Sequence, residues 1–340
     1  METEYTREER EALAKFLAEM SERSAKSGFR VYKNGIYNRN MTELHRIFSP
    51  GETFEVPEGV KQIKAQAGVT LKGLRRLIIP EGVENIDHGA FYYCSDLEYA
   101  DIHAKNIEWR AFASCNRLKE VRLRDGLEKI GDGAFEYTDI KKLILPPSVR
   151  DIGHYILLNA DPTEQTLEIY LKDGAPPKTH GLPAENGTLL IARSPKTDEK
   201  VCEFVISGKI TKVFTQSGID FSKYDERFHK TFSQSNAFRT GFKAAQARLR
   251  CPCGMDGETR RSYEEYSAEA ACYILLELIT QHPDKVTVSG IADGIYLELV
   301  TDEGLLKLID ASARAGKTEL TAFLMQRRYE RRADKEESHT

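Results

Sequence analysis

The stretch that decides the fold is Leu77-Ile-Ile-Pro-Glu-Gly-Val-Glu-Asn-Ile-Asp-His-Gly-Ala-Phe-Tyr-Tyr-Cys-Ser-Asp-Leu97. Its features recur between Val56 and Ile152. Ala-Phe pairs fall at residues 90–91, 111–112 and 134–135. Because no single copy can bury its own apolar face, this recurrence predicts a solenoid of stacked coils. The matching isoleucines, at steps of 23, 21, 23 and 22 residues, are Ile63, Ile86, Ile107, Ile130 and Ile152.

Each copy begins with a short alternating apolar run, such as Leu77 and Ile79. Alternation with period two predicts a strand that has one buried face. A turn at residues 80–82 ends the strand, a second apolar pair follows, and the Ala-Phe pair is then buried between layers. Cys94 and Cys115 fall at one register of the repeat, where small apolar side chains indicate packing rather than redox chemistry.

The repeated phrase resembles the BspA-like leucine-rich repeat family, whose copies run from a strand through a Pro turn, Val-x-x-Ile and Gly-x-x-Ala-Phe to a small residue and Leu. The resemblance covers about residues 32 to 152, and residues 34–44 are similar to the hairpin that opens the repeats in this family. Two residues are missing between Ile102 and Ile107, where we expect the solenoid to pinch or bend. The first copy has Ala67-Gly68 in place of Ala-Phe, which predicts a thin cap.

Length and charge limit the classes of function. The 340 residues can hold two domains, and 49 basic against 53 acidic residues give a formal net charge of -4. This balance argues against bulk nucleic-acid binding, which usually requires a basic footprint. No apolar run reaches the roughly 18 residues of a membrane span. The first residues lack the pattern of a secretory signal, and six scattered cysteines are typical of a protein whose thiols stay reduced. We therefore expect a cytoplasmic location, with the cell surface as the alternative.

The sequence divides into five parts. Residues 1–28 predict an amphipathic helix that caps the open edge of the solenoid. Residues 29–160 hold the repeats, and residues 161–222 carry prolines and three apolar runs, which predict an irregular, stiff β junction. Residues 223–330 follow helical periodicity. Residues 331–340 are polar, which predicts a disordered tail.

The helical part resembles ankyrin-type helix pairs, although the Thr-Pro-Leu-His phrase of those repeats is absent. Thr301 precedes an apolar helix, Gly316 follows it, and Leu320 lies in the next helix. The expected fold class is therefore α+β: a short BspA-like leucine-rich-repeat solenoid of about five coils, followed by an all-α ankyrin-like domain. Together these resemblances imply a protein that binds other macromolecules.

Two short motifs suggest site chemistry without completing it. Ala315-Gly316-Lys317-Thr318 lacks the first glycine of a P-loop, because that position is Ala311, and we interpret the motif as a helix C-cap. Cys251-Pro-Cys253 is a partial zinc motif for which Cys272 and His282 are conceivable further ligands, but nothing in the spacing requires them. The common hydrolase, metalloprotease and dinucleotide motifs are absent. We expect no enzyme activity, no cofactor and no resident metal.

The candidate site is the outward face of the predicted strands. Stacking is expected to align its side chains into one ladder of mixed charge with aromatic and aliphatic points, and Tyr and Arg are frequent binding hot spots. A solvated sheet face is the alternative interpretation. The ten candidates are Arg76, Ile78, Tyr99, Asp101, His103, Glu120, Arg122, Arg124, Lys142 and Ile144.

From these features we infer non-catalytic protein binding or scaffolding in a bacterium, with a protein partner that the sequence does not name. Two other functions stay open. One is surface adhesion or carbohydrate binding after export. The other is phosphate or nucleic-acid binding through the basic stretch Arg327-Arg-Tyr-Glu-Arg-Arg332. The oligomeric state has no signature in the sequence.

Overall fold

The computed structural model describes residues 28–158, 165–171, 177–180, 184, 188–206, 213–215, 218–232, 237–252, 254–292 and 294–337. The chain forms two units: Met1–Val201 with Ile206–Gly218, and Cys202–Val205 with Ile219–Thr340. The expected capping helix over residues 1–28 lies outside the described residues, except for Gly28. Among the helices that are described, none is both long enough and apolar enough to cross a bilayer.

The first unit opens with the expected hairpin. Strand β1 (Phe29–Tyr32) pairs antiparallel with β2 (Gly35–Asn38), and β2 pairs antiparallel with β3 (Glu43–Ile47). From β3 onward the coils stack through parallel pairing. The strands of these coils are β4 (Thr53–Glu55), β5 (Gln62–Ile63), β6 (Arg76–Ile86), β7 (Tyr99–Ile107), β8 (Glu120–Leu123), β9 (Lys129–Ile130), β10 (Lys142–Ile144) and β11 (Asp151–Ile152).

Two parallel ladders run along the solenoid. One joins β5, β6, β7, β9 and β11, and it contains all five recurring isoleucines, each buried. The other joins β4, the first half of β6, the first half of β7 and β8. The predicted alternation places Leu77, Ile79, Ala100 and Ile102 in the interior, so this second ladder presents its remaining side chains outward.

A column of phenylalanine rings fills the space between coils. Phe91 stacks on Phe112 with ring centroids 5.2 Å apart, and Phe112 stacks on Phe135 at 5.4 Å; all three rings are buried. The predicted burial of the Ala-Phe pairs between layers is therefore confirmed, and the three rings form one column. In the first coil Gly68 stands at the position where the next coils have phenylalanine. Even a Cβ at this position would be too close to the Phe91 ring, at 2.7 Å from its nearest atom.

The cysteines of the repeat have a packing role in the structure. Cys94 Sγ donates to the Gly68 carbonyl at 3.0 Å, and Cys115 Sγ donates to the Phe91 carbonyl at 3.2 Å. Both are buried free thiols in adjacent coils. Hydrogen bonding with Cys115 lowers the pKa of Cys94, whereas burial raises the pKa of Cys115.

The copy with two missing residues is accommodated by its neighbour. Strand β7 continues without interruption from Tyr99 to Ile107. In β6, Ile79 pairs with Ile102 but Val83 pairs with Ala104, so β6 uses two more residues than β7 over the same length. The difference is absorbed as a bulge over residues 80–82 of β6, the kind of irregularity that an unequal strand pair requires.

The apolar runs after residue 161 continue the parallel stacking. Strand β12 (Thr166–Tyr170) pairs parallel with β10 and with β14 (Leu189–Arg193), and β13 (Lys178–Thr179) pairs parallel with β11. Strand β15 (Lys200–Val205) spans the division between the two units. The short pair β16 (Phe214–Thr215) and β17 (Gly218–Ile219) follows.

The second unit is helical. Its seven described α-helices are α1 (Ser222–Phe232), α2 (Phe238–Arg250), α3 (Gly257–Gln281), α4 (Val288–Ala292), α5 (Ile295–Leu299), α6 (Asp302–Arg314) and α7 (Thr318–Glu337). Asp256 caps α3 by accepting from Thr259 N–H at 2.7 Å, and Thr301 caps α6 by accepting from Gly304 N–H at 3.1 Å. The predicted cap at Thr301 is thus present. Helix α7 continues to Glu337, where the sequence had suggested a disordered tail from residue 331.

A buried ionic cluster joins α1, α2 and α3. Arg248 is fully buried and binds Asp225 with two hydrogen bonds, at 2.8 and 2.9 Å. Tyr263 donates to the same carboxylate at 2.8 Å, and the Arg248 guanidinium lies 4.1 Å from the centroid of the Phe221 ring. A buried charge is tolerated only when it is paired and hydrogen-bonded, so this cluster fixes the three helices against each other.

Candidate functional site

The outward side chains of β6, β7 and β8 lie in register, as the parallel ladder requires. The first row contains Arg76, Tyr99 and Glu120, because Arg76 pairs with Tyr99 and Tyr99 pairs with Glu120. The second row consists of Ile78, Asp101 and Arg122 on the same three strands. We call these six residues, together with His103 and Arg124, the strand face.

A connected set of contacts orders the strand face. The Arg76 guanidinium lies over the Tyr99 ring, 4.3 Å from its centroid, and Tyr99 Oη donates to Asp101 at 3.4 Å. Arg124 binds Asp101 with two hydrogen bonds, at 2.7 and 2.6 Å. Bidentate Arg–carboxylate pairs and cation–π contacts both restrict side-chain rotamers. The aromatic ring and the two arginines are therefore held in place before any partner binds.

The Asp101 carboxylate is the electrostatic centre of this set. Its pKa lies below the usual range, mainly because of the hydrogen bonds from Arg124; burial opposes the shift and the nearby charge of Arg122 supports it. Asp101 is therefore ionised at any pH near neutrality. Arg122 contributes its own exposed guanidinium, 4.0 Å from the nearest Glu120 oxygen. His103 is half-buried and lies on β7, two residues after Asp101.

The predicted single ladder is interrupted after β8. Strand β10 pairs with β12, and among the described residues no ladder joins β8 to β10. Lys142 and Ile144 are thus exposed on a second sheet, outside the strand face, and the expectation that all ten candidates align in one ladder is wrong for these two. The chain length also differs in this coil: Ala100 follows Cys94 by six positions and Val121 follows Cys115 by six, but Leu143 follows Thr138 by only five.

The second sheet has its own charged group. Glu168, on β12, is only 3% exposed; it accepts from Lys142 at 2.7 Å and from Arg193 at 2.6 Å. Burial opposes the ionisation of Glu168, but the hydrogen bonds from Arg193 and Lys142 outweigh this effect, so its pKa is lowered. Tyr170 donates to Asp198 at 2.7 Å beside them. Lys142 therefore already has a close carboxylate partner.

A groove lies at the interruption. It has a volume of about 410 Å³ and is lined by residues of β8 and β10, by the two prolines after β10 and by Tyr170. Val121 and Leu123 occupy inward registers but are only half-buried, whereas the matching residues of the other coils are fully buried. Sequence reasoning missed these two residues, because their alternation alone places them in the core.

The basic stretch near the C-terminus is occupied by contacts within the second unit. Arg328 and Arg332 both bind Asp302, with N–O distances of 2.8 to 3.0 Å. Arg327 binds Glu298 at 2.6 Å, and Arg331 donates to the Leu297 and Val300 carbonyls. Because these acidic and carbonyl partners offset the positive charge, the arrangement gives no support to phosphate or nucleic-acid binding by this stretch.

The motifs considered for nucleotide and metal binding have structural roles. Gly316, with φ of 69°, lies in the turn between α6 and α7, and Lys317 N–H donates to the Ser312 carbonyl at 2.9 Å, which is a helix C-terminal turn rather than a phosphate loop. Cys251 is buried, Cys253 lies outside the described residues, and Cys272 Sγ contacts the Gly304 carbonyl at 3.8 Å. In the described part of the chain, no group of three or more His, Cys, Asp or Glu side chains is arranged to hold a metal ion.

Comparison with known proteins supports the solenoid. Residues 49–162 match the family described as BspA type leucine-rich repeat region, in six copies. These residues are thus similar to leucine-rich repeats, and the stacked coils of the first unit form a β-solenoid. Among curated proteins, none is significantly similar to this chain. The helices of the second unit are consistent with the expected all-α part, but an ankyrin-like arrangement of them is not shown.

Several solved structures are similar to parts of the chain. A leucine-rich cell surface protein from Faecalibacterium prausnitzii A2-165 is 25% identical, with a TM-score of 0.34, over 37% of this chain and 35% of that one. A leucine-rich repeat protein from Bacteroides ovatus ATCC 8483 is 24% identical, with a TM-score of 0.31, over 42% and 41%. Another from Eubacterium ventriosum ATCC 27560 is 17% identical, with a TM-score of 0.35, over 55% and 49%. The matches thus span less than half of each of these proteins.

Proposed function

We propose that this protein is a non-catalytic binding module whose solenoid contacts a protein partner through the strand face. The observation that carries the proposal is the ordered set Arg76, Tyr99, Asp101 and Arg124, with one cation–π contact and three hydrogen bonds on a rigid parallel ladder. Tyr and Arg supply much of the energy of protein interfaces, and little entropy is lost on binding when they are already ordered.

The charge of the strand face favours a protein partner over a polyanion. Arg76, Arg122 and Arg124 are balanced in part by Asp101 and Glu120, so the strand face carries charges of both signs. A surface of mixed sign can match a complementary protein surface, whereas a nucleic-acid backbone requires a continuous basic footprint. Leucine-rich repeat regions, the family matched by residues 49–162, are in general interaction or surface modules.

The finer parts of this proposal concern the helices and the location. We propose that α6 and α7 form an ankyrin-like helix pair; the Arg328–Asp302 bond brings the C-terminal half of α7 beside the start of α6. We also propose that the protein works inside a bacterial cell, because Cys94 and Cys115 are free thiols in neighbouring coils and each donates a hydrogen bond. Cell fractionation with an antibody to the chain tests the location, and recovery at the cell surface would refute it.

The test of the strand face is affinity capture from the native lysate with two matched variants. Arg76→Ala combined with Tyr99→Ala removes the ordered cation–π pair. Lys105→Ala combined with Glu128→Ala removes an exposed ion pair of 3.8 Å elsewhere on the solenoid and serves as the control. We expect the first variant to lose at least 10-fold in affinity for the captured protein, as for interface hot spots of about 1.4 kcal/mol or more, and the control to bind like the wild type. Equal binding by both variants would remove the strand face from the interface.

A further inference from the structure

The groove between β8 and β10 lies over a seam in the solenoid. The two strands run side by side in one direction, since Asp139 N–H donates to the Leu118 carbonyl at 3.0 Å before them and β9 pairs parallel with β11 after them. Their Cα atoms approach within 8 Å, although no ladder joins the two strands among the described residues. A third strand would need about 4.7–4.9 Å on each side. A ligand of the groove must therefore lie over the seam and contact side chains, rather than extend the sheet.

The groove is cationic at one end and apolar at the other. Lys119 and Lys142 lie where the two strands begin, whereas Leu123, Ile144 and residues 146–147, both prolines, lie where the strands end. The chain from Lys119 to Leu123 spans about 13 Å at the rise of a β-strand. The ligand that matches this surface is elongated, with an anionic group at one end and an apolar body behind it.

The charges around the groove indicate a ligand with one negative charge. Three cations line it together with one carboxylate, Glu120. Lys142 is 2.7 Å from the buried Glu168, so its charge is already offset. The nearest described carboxylate oxygens of Lys119 and Arg122 are 3.9 and 4.0 Å away, so both cations can exchange a loose contact for a closer one. Together they exceed Glu120 by one positive charge, which suits a monoanion better than a dianion.

The apolar part of the groove has the character of a small-molecule site. Ile144 is 43% exposed, and Val121 and Leu123 are half-buried. The volume of about 410 Å³ falls within the range of roughly 300–1,000 Å³ that is usual for ligand pockets. Pockets of this kind combine apolar walls with a few polar groups that orient the ligand.

We propose that this groove binds a small organic monocarboxylate with an elongated apolar body. The carboxylate lies between Lys119 and Arg122 and accepts charge-assisted hydrogen bonds from them. The apolar body lies over the seam against Leu123 and Ile144, where its burial supplies most of the affinity. This ligand site goes beyond the proposed protein-binding function and does not depend on it, because Lys119 and Ile144 lie outside the strand face.

The test is a titration of the full chain with straight-chain carboxylates from butanoate to decanoate, followed by methyl NMR of Ile, Leu and Val side chains. Val121, Leu123 and Ile144 carry methyl groups in the groove, and Leu306, which is 45% exposed in the helical unit, carries control methyl groups. We expect saturable shifts of the groove methyl signals and none for Leu306. Each methylene added should tighten binding by up to about 4-fold until the chain fills the groove.

Two variants with matched controls locate the site. Lys119→Ala removes a cation that is 69% exposed with a carboxylate 3.9 Å away, and its control Lys105→Ala removes one that is 53% exposed with a carboxylate 3.8 Å away, outside both the groove and the strand face. Ile144→Asn has Leu306→Asn as its control. We expect each groove variant to raise the octanoate Kd at least about 5-fold and each control to change it less than about 2-fold. Equal effects of variant and control would overturn the proposal.

The methyl spectrum of each variant reports whether its fold is retained. If Ile144→Asn loses the native spectrum, Ile144→Ala takes its place in the titration. Octylammonium has the same chain as octylamine and the opposite charge to octanoate, and it should leave the groove signals unshifted. Octylammonium binding as tight as that of octanoate would show that the cationic end has no part in recognition and would overturn the proposal.

Two further outcomes would also overturn it. One is the lack of a saturable shift with any of the carboxylates. The other is tighter binding of an acetylated and amidated Asp-Leu dipeptide than of octanoate, which would assign the groove to an acidic segment of a protein. All these outcomes can be told apart from failure of the proposed function, which is tested by capture with Arg76→Ala and Tyr99→Ala, because neither of those residues lines the groove.

Discussion

The phenylalanine column makes a quantitative prediction about how the coils stabilise each other. Phe112 is buried between two parallel rings, with centroids 5.2 Å and 5.4 Å from its own. Phe91 has one ring neighbour of this kind, Phe112, and meets Gly68 on its other side. Substitution of Phe112 with alanine therefore opens a cavity between two rings and removes two aromatic contacts at once.

The expected cost follows from the structure. Truncation of a buried Phe to Ala costs about 3–5 kcal/mol, and each stacked pair accounts for about 0.5–1.5 kcal/mol. We expect Phe112→Ala to lower the free energy of unfolding by about 4 kcal/mol. The exposed Tyr137, which lies two residues after Phe135 and is 54% exposed, provides the matched control: Tyr137→Ala should cost less than about 0.5 kcal/mol.

Double-mutant cycles test whether the stabilisation is passed only between neighbouring coils. Phe91 and Phe112 are in contact, so their coupling energy should be about 0.5–1.5 kcal/mol. Phe91 and Phe135 are separated by a full coil, and residues that far apart usually act additively within about 0.3–0.5 kcal/mol. Nearest-neighbour energetics of this kind are characteristic of solenoids.

The assay is urea unfolding followed by tryptophan fluorescence. The chain contains one tryptophan, Trp109, which is three residues before Phe112 and 51% exposed, so its emission reports the unfolding of the solenoid. The m-value should be unchanged for single variants, so that shifts of the midpoint report stability. A coupling between Phe91 and Phe135 as large as that between Phe91 and Phe112 would refute nearest-neighbour stacking. A cost below about 1 kcal/mol for Phe112→Ala would refute the buried column.

Two predictions concern the helical unit. Asp225→Ala leaves the buried Arg248 guanidinium without its carboxylate and should lower the free energy of unfolding by about 3–5 kcal/mol, measured by urea unfolding at 222 nm. Tyr263→Phe removes one hydrogen bond to the same carboxylate and should lower it by about 1 kcal/mol. Equal losses of stability in the two variants would contradict an ion pair at the centre of the cluster. Hydrogen bonds from Arg328 and, to a smaller extent, from Arg332 lower the pKa of Asp302 from 3.8 to about 2. The ionised carboxylate therefore stabilises the fold fully above pH 3.8, and this contribution is lost as the pH falls through 2. A carboxyl ¹³C titration of wild type and Arg328→Ala measures this, and a midpoint that the variant does not raise would contradict the assigned cause.

The recurring positions were predictable because each obeys a local rule. Ile86, Phe91 and Leu77 fall at fixed offsets within the repeat, and stacking places each of them beside its counterpart in the next coil. Period-two alternation likewise identified the outward side chains of β6, β7 and β8, including Tyr99 and Asp101. For these residues the sequence pattern and the three-dimensional packing carry the same information.

The contacts within the site were not predictable in the same way. The offset between Arg76 and Tyr99 follows from the register, but nothing in the spacing says that Arg124 binds Asp101 rather than Glu120. That choice depends on rotamers and on the twist of the ladder. The partners of the basic stretch, such as Asp302 for Arg328, lie 26 positions away and are brought close only by the packing of α7 on α6.

The departures from the repeat are informative because they differ in how far they change the pairing of backbone groups. Gly68 in place of Phe leaves the pairing intact, since its N–H still donates to the Ala90 carbonyl at 2.7 Å. The two residues missing from β7 are absorbed by a bulge in β6, and the ladder resumes at Val83.

The single residue missing between Thr138 and Leu143 leaves the two faces of β10 in place, since Leu143 is buried and Lys142 and Ile144 are exposed. The ladder nevertheless stops at β8 and restarts at β10, with Val121 and Leu123 left half-buried. We expect that insertion of one residue between Thr138 and Leu143 restores the six-residue spacing, allows β10 to pair with β8, and buries Val121 and Leu123. Because two large apolar side chains would then leave water, such a variant should be more stable in urea than the wild type. A variant with unchanged or lower stability would show that the shorter spacing is not what interrupts the ladder.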